Sequence, residues 1–161
     1  MKAKSAGKQS TPETELRALI GRLDPKIQKL SRAVRTAVRK RFPTANELAY
    51  DYKSFVVIAY SPSERGIDGV ASIAARPNGV FFYFSHGPQL SDPKGLLRGS
   101  AKMVRFIELE SASRLAHPDV EALIAESIAL ATVPLPSKGE GKLIMMSAGK
   151  KQRPRPKAKK K

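Results

Sequence analysis

The chain contains no cysteine. Disulfide frameworks, thiolate nucleophiles and cysteine-ligated zinc are thereby excluded, while the redox compartment stays open. Long apolar runs are missing too. The longest, Phe55 to Tyr60, is far too short to cross a bilayer. No apolar segment follows the charged start Met1-Lys2-Ala3-Lys4, so no secretory signal is read. These absences predict a cytoplasmic protein with no membrane partner. Imidazole is scarce, with His86 and His117 the whole supply. No serine sits in a G-x-S-x-G elbow, and neither a G-x-x-x-x-G-K-[ST] loop nor an H-E-x-x-H pair occurs. The sequence offers no catalytic set and no metal-ligand set, so it is read as non-catalytic and without a cofactor.

Acidic residues are few as well, 14 against 30 lysines and arginines, for a net charge of +16. The excess is concentrated at the ends. Residues 1–10 carry three lysines and no acid, and residues 138–161 carry ten basic residues beside Glu140 alone. Between them 17 basic residues meet 13 acidic ones. The run from Lys150 to Lys161 holds nothing apolar larger than alanine or proline, so it cannot contribute to a core. The expected organisation is a disordered basic N-terminus over 1–10, one α+β domain over 11–136, and a disordered Lys/Arg/Pro-rich tail over 137–161. With 41% hydrophobic and 27% charged residues the chain has the composition of a globular domain. A chain of this size buries roughly two-thirds of its unfolded surface, enough to fold without a disulfide or a structural metal.

Thr11-Pro12-Glu13-Thr14-Glu15 places an N-capping threonine, a first-turn proline and early carboxylates together, which predicts a helix running to about Leu23. Asp24-Pro25 repeats this grammar. The helix it opens puts Ile27, Leu30, Val34 and Val38 on one face, with Lys29, Arg32, Arg35, Arg39 and Lys40 opposite, and ends at Phe42-Pro43. From Ser54 to Tyr60 the residues become β-branched and aromatic, predicting a strand. Val70–Ala75 and Val80–Ser85 are expected to form an antiparallel hairpin about Arg76-Pro77-Asn78-Gly79. Met103–Leu109 reads as a further strand and Ala45–Lys53 as a weaker one. A last helix begins at Pro118, its start marked by His117, and carries Val120, Leu123, Ile124 and Ile128 on one face. Strands grouped between helices predict an antiparallel sheet of four to five strands, packed with two N-terminal helices and one C-terminal helix.

The candidate chemistry lies between the hairpin and the next strand. Phe82 to Arg105 is rich in glycine and proline, which specify a fixed loop path, and His86, Lys94, Arg98, Lys102 and Arg105 make it cationic. Glycine-exposed amides beside basic side chains are the chemistry of an anion site. Tyr50, Tyr60 and Tyr83 stand near as possible ligand contacts. Structural loops need the same glycines and prolines without binding anything.

The run His86-Gly87-x-x-Leu90-x-Asp92-Pro93-x-Gly95-Leu96-Leu97-x-Gly99, followed by Lys102 and Arg105, resembles the signature of the YdhG-like domain-of-unknown-function family. The resemblance extends over the two early helices, the strand region Tyr50 to Tyr60, the hairpin, and Lys142-Leu143-Ile144-Met145-Met146-Ser147 before Gln152-Arg153-Pro154. It implies a compact α+β fold and little about activity. Some relatives are described as frataxin-like iron chaperones, which implies an acidic iron-binding surface on the first helices. This chain departs from that pattern, because its second helix carries seven basic residues between Lys26 and Arg41 and no acid.

Three functions are therefore expected, in descending order. The first is a non-catalytic module binding a small anionic ligand or a protein through His86, Lys94, Arg98, Lys102, Arg105, Tyr50 and Tyr83. The second is non-specific DNA or RNA association through Lys29, Arg32, Arg35, Arg39 and Lys40, together with Lys150, Lys151, Arg153 and Arg155 of the tail. The third is an iron chaperone.

Overall fold

The computed structural model describes residues 11–146. Helix α1 spans Pro12–Ile20, its Thr11 hydroxyl accepting from the Thr14 amide at 3.1 Å. The helix stops about three residues earlier than its sequence suggests, because the Arg22 and Leu23 amides bond to the carbonyls three residues back, Leu19 and Ile20, in a tighter terminal turn. Helix α2 spans Pro25–Arg41 and buries Ile27, Val34 and Val38 along one stripe, as the spacing predicts. Helix α3 spans Pro118–Ala129 and buries Val120, Leu123 and Ile124; Nδ1 of His117 accepts from the Asp119 amide at 3.2 Å and caps it.

The strands are β1 (Asn46–Asp51), β2 (Val56–Ser61), β3 (Ala71–Arg76), β4 (Gly79–Phe84), β5 (Arg105–Leu109) and β6 (Leu143–Met146). They form one sheet in the order β5-β4-β3-β2-β1-β6. The β3–β4 hairpin closes at Arg76 opposite Gly79, whose φ of 155° lies where a side chain would be strained. All neighbours are antiparallel except β1 and β6, which are parallel.

Two boundaries move. Residues Met103 and Val104 fall outside β5, because the Met103 carbonyl is taken by the Gly87 amide, and Arg98 forms an isolated bridge to Phe106 on the sheet edge. More consequentially, residues assigned by composition to the tail supply strand β6. The Lys142 carbonyl accepts from the Glu47 amide at 2.8 Å, and Leu143 and Met145 pack against the core. Residues 1–10, and Lys150, Lys151, Arg153 and Arg155, lie outside the described residues.

The sheet has two unlike faces. Alternate residues Val56, Ile58, Tyr60, Ile73, Phe82 and Ile107 join Leu16, Val34, Val38 and Leu123 of the helices in a single hydrophobic cluster. The intervening residues point the other way, as strand pleating requires. No described helix longer than one 3-10 turn adds to that second face, and Phe55, Val57, Phe81, Tyr83 and Phe106 on it remain half-buried. No described helix is long and apolar enough to cross a membrane.

Candidate functional site

The cationic residues of the Phe82–Arg105 loop do not converge on one cavity. Gly87 is pressed against the backbone and side chain of Arg105, where an added Cβ would stand 2.6 Å from the Arg105 Cβ. This close approach brings His86 beside the Lys102–Arg105 segment. The Arg105 guanidinium donates to the carbonyls of Ala101 and Val104, so it serves to hold its own loop. Lys94 lines a separate cavity with Asp92, Asp119 and Glu126, and lies 3.7 Å from the Asp119 carboxylate. Arg98 lines another with Glu108, Glu110 and Arg114. Asp92 caps the Leu96 and Leu97 amides at 2.7 and 3.0 Å, and Glu126 accepts from the Ser91 hydroxyl at 2.9 Å. The loop's polar residues largely satisfy one another.

The basic face of α2 is likewise partly spent on structure. Arg35 donates through Nε and Nη2 to both oxygens of Glu47, at 2.9 and 2.7 Å, and through Nη1 and Nη2 to Glu13, at 3.0 and 2.8 Å. With its side chain only 15% exposed and the Glu47 carboxylate 4% exposed, Arg35 cannot also contact a phosphate. Burial works against its charge, but hydrogen bonds to Glu47 and Glu13 hold the guanidinium firmly protonated. The same guanidinium holds the Glu13 carboxyl below the usual range. Tyr60 completes the network by donating to Glu47 Oε2 at 2.7 Å; burial, then the charge of Glu47, pushes its phenol well up. Tyr60 is fully buried and is therefore a core residue rather than a ligand contact. Arg39 stands 3.6 Å from Glu47, while Lys29, Arg32 and Lys40 face solvent. Among the described residues no three His, Asp or Glu side chains cluster as they would about an ion. Glu13 of α1 and Glu47 of β1 are joined by Arg35 of α2 between them.

What the sequence did not single out is the open face of the sheet. Register fixes its residues in rows. Tyr50, Val57, Ala74 and Phe81 are successive cross-strand partners, and so are Leu48, Ala59, Ser72 and Tyr83. At the end of the first rows the turn after β1 adds Tyr52 and Phe55. The rings of Tyr50 and Tyr52 stack at 6.0 Å and those of Tyr52 and Phe55 at 5.0 Å. The Arg76 guanidinium lies 4.2 Å over the Phe55 ring, a cation–π contact. On the β4–β5 side, Phe106 meets Phe81 edge-on at 5.8 Å and Tyr83 at 5.2 Å.

Between these two aromatic groups the central strands carry small residues. Ser72, Ala74 and Val57 floor an open trough of about 280 Å³, with Tyr52, Phe55 and Arg76 at one end and Tyr83 at the other. Two strand spacings separate β2 from β4, roughly 10 Å. Among the described residues the only charged side chain lining the trough is Arg76. Tyr52 is 38% exposed. The short 3-10 turn Gly66–Asp68 comes down over the other end of the face, where Gly66 abuts the Tyr50 hydroxyl. Burial, with a smaller contribution from Tyr52, raises the Tyr50 phenol, and burial raises that of Tyr52, so both rings are neutral at physiological pH. Tyr50 and Tyr83 thus belong to this face rather than to the basic loop. The alternation of aromatics at 50 and 52 and at 81 and 83 is the sequence signal for it.

Compared with protein-family models, curated proteins and solved structures, the chain matches none of them.

Proposed function

We propose that this chain is a non-catalytic binding module, YdhG-like in its His86–Gly99 run, that holds a flat, anionic ligand on the open face of its sheet. The observation that carries the reading is the trough, with aromatic walls, a floor of small side chains and one cation, Arg76. Apolar and aromatic linings with few, well-placed polar groups are the usual make-up of a ligand site. A planar group laid over Ala74 and Ser72 would meet π-faces at either end, and Arg76 would face its negative charge. In the basic loop Lys94 and Arg105, and on the α2 face Arg35, already have internal partners, which leaves fewer of those cations for a ligand to engage.

Adenosine monophosphate is a suitable small probe, since it combines a planar base with a phosphate. Titration should shift the amides of Val57, Ser72 and Ala74 and the ring protons of Tyr52, Phe55 and Tyr83 in NMR spectra. Tyrosine fluorescence offers a second readout, as the chain contains no tryptophan. Shifts confined to Lys94, Arg98 and Arg105 would move the site to the loop, and no shifts at millimolar probe would overturn the reading.

A further inference from the structure

We propose that the groove between α1 and α2 is a second site, which takes a small dianionic phosphate, free or as a monoester, among Arg17, Arg32 and Arg39. It stands apart from the ligand site proposed above, because the helices cover the opposite face of the sheet.

A cavity of about 150 Å³ is lined by four arginines, Arg17 from α1 and Arg32, Arg35 and Arg39 from α2, and by one acid, Glu13. Arg35 already binds both oxygens of Glu13 and both of the buried Glu47. Beyond those bonds the groove holds only the long pair from Arg39 to Glu47, at 3.6 Å, and among the described residues Arg17 and Arg32 form no ion pair. Residues 1–10 and 147–161 contain no aspartate or glutamate. Four guanidinium groups against two carboxylates leave an excess of two positive charges, which a dianion cancels. Like charges three and four residues apart on a helix repel, and a bound anion relieves that repulsion.

The positions of these arginines suit the same ligand. Arg32, Arg35 and Arg39 recur at spacings of three and four, so they share one face of α2, with Arg32 and Arg39 roughly 10 Å apart along the axis. Arg35 is drawn down onto its two acids and leaves the space between the others open. Arg17 approaches from α1. The Glu13 carboxyl, held low first by the Arg35 hydrogen bond, is lowered further by the charges of Arg39 and Arg17, which stand near it. Three uncommitted guanidinium groups from two helices therefore line one small volume. Planar forks of N–H donors match phosphate oxygens, and arginine clusters are a recurring means of recognising them. Glu13, its side chain 52% exposed at the rim, favours a compact ion over a nucleic-acid backbone, whose continuous row of phosphates would have to pass it.

The test uses the full chain and follows the arginine Nε–Hε resonances by NMR during titration with inorganic phosphate, at about pH 8, where phosphate and its monoesters are chiefly dianions. Arg17, Arg32 and Arg39 should shift together and saturate. R17Q/R39Q should bind about tenfold or more weakly, the scale of losing charge-assisted hydrogen bonds. K26Q/K29Q removes as much charge from exposed positions of α2 outside the cavity and should change affinity by less than about twofold. R17Q/R32Q leaves the contact of Arg39 with Glu47 in place, guards against a folding defect, and should be impaired as strongly as R17Q/R39Q. Equal weakening by the lysine and arginine pairs would reduce binding to general surface charge and overturn the proposal. Shifts confined to other residues, or shifts that never saturate, would overturn it as well. Glycerol 3-phosphate run in parallel identifies the occupant: tighter binding than inorganic phosphate marks a monoester, weaker binding the free ion, and either upholds the site. Displacement of phosphate by a DNA duplex whose own binding depends on Arg17 and Arg39 would assign the groove to nucleic acid and overturn the small-anion assignment. Inorganic phosphate carries no ring for the sheet to hold, so failure here leaves the open-face reading standing.

Discussion

Glu47 and Tyr60 are direct cross-strand partners on the helix-covered face of the sheet, and the Tyr60 hydroxyl donates to the Glu47 carboxylate at 2.7 Å. A carboxylate placed in a core is costly unless its oxygens are satisfied. Here Arg35 reaches down from α2 to supply two more donors, so one polar cluster pins the helix layer to β1 and β2.

Removing one member should expose that dependence. Arg35→Ala leaves the buried Glu47 with only Arg39, at 3.6 Å, as countercharge and should destabilise the domain by about 3 kcal/mol. Glu13→Gln removes only the half-exposed partner and should cost less than about 1 kcal/mol. Urea denaturation of the two variants checks the contrast; equal losses would mean that the network is not centred on Glu47.

Tyr60→Phe deletes one hydroxyl without changing shape. A hydrogen bond to a charged group contributes about 1.5–3 kcal/mol, and a loss in that range is expected. A variant as stable as the parent would show that Arg35 alone satisfies Glu47.

Acid should weaken the domain modestly through Glu13 and Asp51. The hydrogen bond from Arg35 depresses Glu13, and those from the Arg22 side chain and the Lys53 amide depress Asp51. A carboxyl held low in the folded protein contributes stability that is complete above its unfolded value, near 4.5 for Glu13 and 3.8 for Asp51, and is lost as pH falls through the folded value. Urea midpoints should accordingly hold steady down to roughly pH 5 and then decline. The E13Q/D51N variant should decline less steeply, and an unchanged slope would assign acid sensitivity elsewhere.

Two truncations separate β6 from the charge that follows it. Ending the chain at Met146 should leave the urea midpoint in place. Ending it at Pro136 strips Leu143 and Met145 from the core and should cost at least about 2 kcal/mol, from apolar burial alone. Equal stability of the two would show that β6 adds nothing to the sheet.

The glycines of the Phe82–Arg105 loop should differ in what they tolerate. Gly87→Ala forces a Cβ into the Arg105 backbone and should cost about 3 kcal/mol, as overpacking does. Gly95 has φ of 64° and nothing within 4 Å, so Gly95→Ala meets only the left-handed backbone penalty of about 1 kcal/mol. Reversal of that order would remove the close-approach explanation.

Legibility followed the length and regularity of the signal. Helices α1, α2 and α3 announce themselves by Thr11-Pro12, Asp24-Pro25 and His117-Pro118, and by apolar residues at helical spacing, while Asn78-Gly79 marks the hairpin. Strand β6 is different. Leu143-Ile144-Met145-Met146 is four residues long and apolar on both faces, so it lacks alternation, and the lysines around it make its neighbourhood read as tail. Its partner β1 lies almost a hundred residues earlier, with Lys142 bonded to Asn46, a pairing that no local pattern encodes. The basic loop misled for the opposite reason. Lys94, Arg98 and Arg105 are close in sequence, but a winding path between Gly87 and Gly99 sends them to different places, Lys94 to Asp119, Arg98 to a cavity beside Glu108 and Glu110, and Arg105 to its own loop carbonyls. The aromatic face was half visible, since Tyr50 and Tyr83 stood out singly, but the row that unites them with Tyr52 and Phe55 exists only once strand register is set.

The parallel strand also orders events during synthesis. Strand β1 emerges early from the ribosome, and its neighbour β6 follows after every other element described here. Until residues 143–146 arrive, the Asn46–Asp51 edge presents unpaired amides and carbonyls, the template on which strands of separate chains join. Chains that lack β6 would thus be the species most in need of a chaperone, and its arrival moves the open edge from the six residues of β1 to the four of β6.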